Sequence, residues 1–233
     1  MASTIIRIEG GNFMTARLSF EHELQLLRDN LTEMGHLIEE AIEKTLLAFE
    51  AEDDSLAKEI IQGDRNVNDI EKTIEARCLS LILKQQPVAR DLRIVTTALK
   101  VVTDMERIGD HAADIAELIL REKREPIYNL VKHIPLMGRA AKEMVHDAVT
   151  AFTSLNVESA REIEKRDDIV DELFDKVKEE VASMLRSTSE HVDQCVDILM
   201  IAKYFERIGD HAVNICEWTE FHETGSVNNI RIL

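Results

Sequence analysis

The chain repeats itself, and this limits the folds open to it. ERIGDHAADIAEL at 106–118 and ERIGDHAVNICEW at 206–218 agree at nine of thirteen positions, so whatever fold one half adopts must suit the other. Upstream the match continues at an offset of 103. It pairs Met34-Gly35 with Met137-Gly138, Glu40 with Glu143, Ala48-Phe49 with Ala151-Phe152, Asp64 with Asp167, and Val67 with Val170. The offset then falls to 100, which places a three-residue contraction opposite Lys84-Gln85-Gln86, where a loop can absorb it.

Three prolines and eight glycines leave little material for turns, and the rest is rich in strong helix formers. Apolar residues at three- and four-residue spacing predict helices near 20–49, 55–84, 89–122, 134–153, 157–186 and 190–221. The expected fold is all-α: a tandem duplication of an elongated antiparallel three-helix bundle, six helices in total. Helices of about 30 residues would be roughly 45 Å long at about 1.5 Å per residue. The expected organisation is an N-terminal extension at 1–18, a first bundle at 19–125, a second at 126–222 and a tail at 223–233. Pro126 and Pro135 interrupt the pattern between the copies. Residues 1–13 differ in character from the rest of the chain, and Met14 is a natural start, so they are set outside the fold argument.

Charge narrows the function. Lys and Arg number 28 against 45 Asp and Glu, a net charge of −17, which opposes nucleic-acid and anionic-lipid binding and favours cations. No apolar run approaches the roughly 18 residues of a membrane span, so direct membrane insertion is not expected. Cys78, Cys195 and Cys216 show no C-x-x-C spacing, which fits a reducing, cytosolic setting. Cys216 reads as core packing.

On the third predicted helix Glu106, Asp110, Asp114 and Glu117 lie within an arc of about 80° at roughly 100° per residue. Val101, Met105, Ile108, Ala112, Ile115 and Ile119 occupy the other side, so the acids are expected to point away from the core. A plain solvated face would mix signs, because like charges four apart repel by a few tenths of a kcal/mol. This one does not, and Glu206, Asp210, Asn214 and Glu217 rebuild it in the second copy. Gly109 and Gly209 each cost about 1 kcal/mol in a helix interior, which implies a close approach to the helix backbone at these positions.

Asp64, Asn68, Glu71 and Glu75 offer a facing stripe on the second helix. In the second copy Asp167 and Asp171 persist, but Phe174 and Lys178 replace the two glutamates, so that site should be poorer in oxygen. Oxygen donors on neighbouring helices suit Mg, Mn, Fe or Ca. Arg107 and Arg207 are expected to pair with Asp110 and Asp210. His111 and His211 lie off the stripe, which favours packing or support of a neighbour over ligation. Glu33-x-x-His36 and Glu143-x-x-His146 have the spacing of ferritin-like ligands, yet they are not equivalent in the repeat and such patterns arise easily by chance. No phosphate loop, nucleophile elbow or zinc-protease motif occurs.

The paired ERIGDHA motifs, QPVARDLR at 86–93 and the duplicated layout closely resemble the PhoU family, bacterial accessory proteins of phosphate signalling. The resemblance covers about Ser19 to Phe221. It implies a non-enzymatic cytoplasmic regulator that represses the phosphate-starvation response, associates with the ATPase subunit of the phosphate importer and with the phosphate-sensing histidine kinase, and forms a homodimer. The family's E/D-x-x-x-D metal motifs fall here on Glu106 with Asp110, Glu206 with Asp210, and Asp167 with Asp171. At Asp64 the fourth residue on is the amide Asn68, for which Glu71 and Glu75 could compensate. The expected occupants are divalent or iron-type ions: Fe, Zn, Mn or Mg. The alternatives are a carboxylate-bridged metal enzyme or a ferritin-like iron protein. QPVARDLR has no counterpart in the second copy, where RSTSEHVDQ stands instead, so the copies need not do the same job.

Overall fold

A computed structural model of the chain describes residues 9–121, 131–188, 190–227 and 230–231. Helices α1 (Glu9–Ala51), α2 (Asp54–Gln85) and α3 (Arg90–Arg121) form the first copy. The second consists of α4 (Ile134–Ser154), α5 (Val157–Glu164), α6 (Asp167–Ser187) and α7 (Val192–Thr224). A two-residue antiparallel pair, β1 (Ser226–Val227) with β2 (Ile230–Arg231), comes after α7.

The apolar periodicity does what it predicts. Along α1 the large buried apolar residues are Phe20, Leu24, Leu27, Leu31, Met34, Ile38, Ile42, Leu46 and Phe49, a stripe at three- and four-residue spacing that turns one face inward. On α3 the six apolar residues opposite the acids are all buried. The duplication extends to the turns. Glu52 and Leu155, equivalent at offset 103, both take left-handed backbone, with φ of 52° and 57°. The next residues, Asp53 and Asn156, both cap the following helix: Asp53 Oδ1 accepts from the amides of Ser55 and Leu56, and Asn156 Oδ1 from that of Ser159.

Three expectations change. The extension expected at 1–18 is helical from Glu9, continuous with α1; residues 1–8 lie outside the described part, as does 122–130 of the expected boundary between the copies. The single helix expected at 157–186 is bent into α5 and α6, so among the described residues the six rods comprise seven helical segments. At the bend, bonds from Arg166 N to Ile163 O and from Ile169 N to Arg166 O close three-residue turns in place of four. Arg166 there reaches sideways to Asp147 and Glu143 on α4. The tail at 223–233 contains the end of α7 and the strand pair.

The two copies meet through α1 against α4 and α3 against α7, over a continuous apolar core. The contact is two-fold in character. A Cβ on Gly35 would lie 2.8 Å from Val149, and one on Gly138 would lie 2.3 Å from Leu46. Gly138 is the repeat equivalent of Gly35, and Val149 of Leu46, so each copy gives the other the same small residue and takes the same large one.

Candidate metal-binding grooves

The stripes expected to point away from the core are half-enclosed instead. In the first copy α2 lies along the acidic face of α3 because Gly109 admits it: a Cβ there would sit 3.0 Å from Val67 Cγ1. This closeness leaves the Glu106 side chain only 17% exposed and Asp110 31%. Asp64 accepts from Asn68 Nδ2 at 2.7 Å through Oδ2, while its Oδ1 is buried with no hydrogen-bond partner. Burial, then the charge of Asp110, raises the Asp64 carboxyl above its ordinary pKa. Glu71 is raised by burial, then by Glu75 and Asp110, and Glu106 by burial, then by Asp110, Glu71 and Asp64. Asp64, Glu71, Glu106 and Asp110 thus share one field across one groove. Arg107 partly offsets it, with Nη1 3.0 Å from Asp110 Oδ2.

The second copy repeats the arrangement between α6 and α7. Gly209 lets Asp167 in, its Cβ position lying 3.3 Å from Asp167 Oδ1, and that oxygen is again buried without a partner. Burial first, then Asp171, Asp210 and Glu206, pushes the Asp167 carboxyl up to about 6. Asp171 and Asp210 are raised by burial and then by Glu206. The groove is poorer in oxygen, as the substitutions at Phe174 and Lys178 imply, and it also carries its own cations. Lys178 and Lys203 lie 4.8 and 5.6 Å over the Phe174 ring, and Lys203 pairs with Glu206. That lysine, not Arg207, supplies the close ion pair at this stripe.

The far ends of the stripes do something else. Asn214 donates to Asp104 Oδ1 at 2.9 Å, across to α3, and Asp114 lies 3.4 Å from His111. His111 and His211 face each other 5.6 Å apart between the copies, so both imidazoles serve the seam. The ferritin-like spacing leads nowhere: His146 binds Glu39 at 3.0 Å, and Glu143 lies 3.4 Å from Arg166. Sequence reasoning missed Asp104, whose repeat equivalent is Tyr204, so the comparison of halves gave no signal. It also missed Glu164, buried in part beside Glu220 and Glu217 and raised by burial and their charges. Cys78, Cys195 and Cys216 are buried. Among the described residues no three His, Cys, Asp or Glu side chains converge closely enough to close on one ion.

The PhoU domain matches the chain twice, at 31–119 and 134–219. The chain belongs to the PhoU family. Among family members, the phosphate-specific transport system accessory protein PhoU homolog of Clostridium acetobutylicum is 40% identical over 91% of this chain and 97% of its own length. The phosphate-specific transport system accessory protein PhoU of Escherichia coli is 32% identical over 88% of this chain and 86% of its own. The crystal structure of the phosphate transport system regulatory protein PhoU from Streptococcus pneumoniae superposes with a TM-score of 0.82 at 29% identity, over 91% of this chain and all of that one. PhoU from Pseudomonas aeruginosa gives 0.81 at 29% identity, over 89% of this chain and all of that one.

Proposed function

We propose that this chain is a non-enzymatic accessory regulator of phosphate transport. In this reading it is a cytoplasmic adaptor that lowers the phosphate-starvation response by contacting the importer's ATPase subunit and a phosphate-sensing histidine kinase, and it acts as a homodimer. The observation that carries the reading is the double PhoU match, with relatives named for phosphate transport over nearly their whole length. Among the described residues no helix is long and apolar enough to cross a membrane, which suits an accessory protein reaching the membrane through partners.

The two acidic grooves are proposed as sites for divalent or iron-type ions. The donors fit such a group: oxygen ligands on adjacent helices, raised carboxyl pKa values, and a buried unpartnered oxygen at the same repeat position in each copy, Asp64 Oδ1 and Asp167 Oδ1. Asp64, Glu71, Glu106 and Asp110 would hold the ion in the first groove, with Asn68 beside them. Asp167, Asp171, Glu206 and Asp210 would hold it in the second. A bound cation supplies positive charge that offsets the repulsion and joins α2 to α3, or α6 to α7. The side chains have to rotate inward to close on it.

Two measurements test these readings separately. In bacteria lacking their own PhoU-type protein, expression of this chain should repress a phosphate-starvation reporter; an unchanged reporter, with the chain present and folded, refutes the regulatory role. Elemental analysis and calorimetry should find stoichiometric metal in the unmodified chain and none in a variant with Glu106, Asp110, Glu206 and Asp210 changed to Ala and helicity retained. Equal metal in both proteins, or none in either, refutes the metal grooves.

A further inference from the structure

The two acidic grooves differ by one side chain that the duplication does not supply. Where α3 carries Thr103, the equivalent position on α7 is Lys203, three residues before Glu206. Its Nζ pairs with Glu206, whose side chain is largely buried, and its charge reaches across to α6. Burial and the charge of Glu206 raise the carboxyls of Asp171 and Asp210, and Lys203 opposes the rise in both. Of the four carboxylates assigned to an ion in this groove, Glu206, Asp171 and Asp210 therefore already lie in the field of a tethered ammonium. Asp167 is left over: burial and neighbouring carboxylates act on it, and its Oδ1 has no partner.

What steadies Lys203 also belongs to this copy alone. Phe174 and Lys178 stand where the first copy has Glu71 and Glu75. Lys203 Nζ lies 5.6 Å from the centre of the Phe174 ring, close enough for the ring to attract an ammonium. Lys178, at 4.8 Å from the same ring, pairs with the exposed Asp175 on its own helix. The arginines do not distinguish the grooves. Arg107, more than half exposed, contacts Glu106 and Asp110, and its equivalent Arg207 acts on Asp210, so Lys203 is the added cation.

We propose that Lys203 is a built-in competitor for the metal ion of the second groove: its ammonium takes the place beside Glu206, Asp171 and Asp210, and an ion enters only by displacing it. The proposal rests on the reading of the grooves as metal sites and adds an order to them. The first groove, with Thr103 at this position and with Glu71 and Glu75 as further oxygen donors, fills at low metal. The second fills later, because the ion has to break a charge-assisted contact, a loss that weakens binding by about tenfold. The Phe174 ring gives the released ammonium a face to rest on. One chain thus answers metal in two steps, tying α2 to α3 first and α6 to α7 second.

The test isolates the second groove by changing Glu106 and Asp110 to Ala in the full chain, freed of metal and checked for helicity, and titrates it with Mn2+ by calorimetry. In this background Lys203→Met, which keeps the stem and removes the charge, should lower the Mn2+ dissociation constant about tenfold. Lys203→Arg, which keeps the charge, should leave it nearly unchanged, and so should Lys178→Met, which removes an equal charge from the same ring. If Lys203→Met does not fold, Lys203→Thr, with the first copy's residue, takes its place. An unchanged constant in the uncharged Lys203 variant, or equal tightening in Lys178→Met, overturns the proposal and leaves the metal reading standing, since the groove still binds. Absence of Mn2+ binding in all the isolated-groove proteins also overturns it: if the unmodified chain binds, metal is confined to the first groove, and if it does not, the metal reading falls as well.

Discussion

His211 on α7 donates from Nδ1 to Asp104 Oδ1 on α3 at 2.9 Å, joining the two copies at their seam. Asn214 donates to the same oxygen at the same distance, and both the Asp104 and His211 side chains are largely shielded from water. Asp104→Ala therefore strands two donors. We expect it to lower the unfolding free energy by about 1–3 kcal/mol in urea titrations, with a smaller loss in Asp104→Asn, which keeps an acceptor oxygen. Equal losses in the two variants would show that the contact is packing alone.

Glycine substitutions should divide by what lies over each residue. At Gly138 a Cβ would fall 2.3 Å from Leu46 and 2.9 Å from the Phe205 ring, so Gly138→Ala forces the inter-copy contact apart and should cost about 1–3 kcal/mol. At Gly63 nothing is in the way, and Gly63→Ala should stabilise the chain by about 0.5–1 kcal/mol. Thermal unfolding of the two variants reads the difference; destabilisation by Gly63→Ala would mean that its surroundings are tighter than the geometry indicates.

These residues also show how much of the fold is legible in the sequence. The helices, their apolar faces and the close approach at Gly109 and Gly209 come from periodicity and duplication, because both are local patterns that packing then satisfies. The bend at Arg166 is invisible there, since its helix period is intact and the turn rests on Asp147 and Glu143 from another helix. The enclosure of the acidic stripes escapes for a related reason. A helical wheel separates Glu106 and Asp110 from their own core, but it cannot say that α2, drawn in over Gly109, will cover them. Asp104 escapes because only the tertiary fold brings it to His211.

Thiol reactivity offers a simple check of the core. Burial pushes the thiols of Cys78 and Cys216 up to about 12, and all three cysteines are buried. Since the thiolate is the reactive form, the native chain at about pH 8 should react with a thiol reagent only as fast as it opens. All three should titrate promptly in denaturant. A rapid native phase would mean that a cysteine is reachable from solvent.

The strongest pH effect should come from Asp167. Its carboxyl is pushed up to about 6, from an ordinary 3.8, by burial and then by Asp171, Asp210 and Glu206. Between those values the folded chain holds a proton that the unfolded chain has released. Its contribution to stability is therefore full at and below about pH 4 and is lost as pH rises through about 6. Asp167→Asn cannot ionise, so calorimetry in a chelator should give the two proteins similar melting temperatures near pH 4, with the variant melting higher by pH 7. Divalent ions should act in the opposite sense, raising the melting temperature of the unmodified chain more at pH 7 than at pH 5, because a cation binds the ionised carboxylates. Parallel pH curves for the two chelated proteins would show that Asp167 is solvated in the folded state.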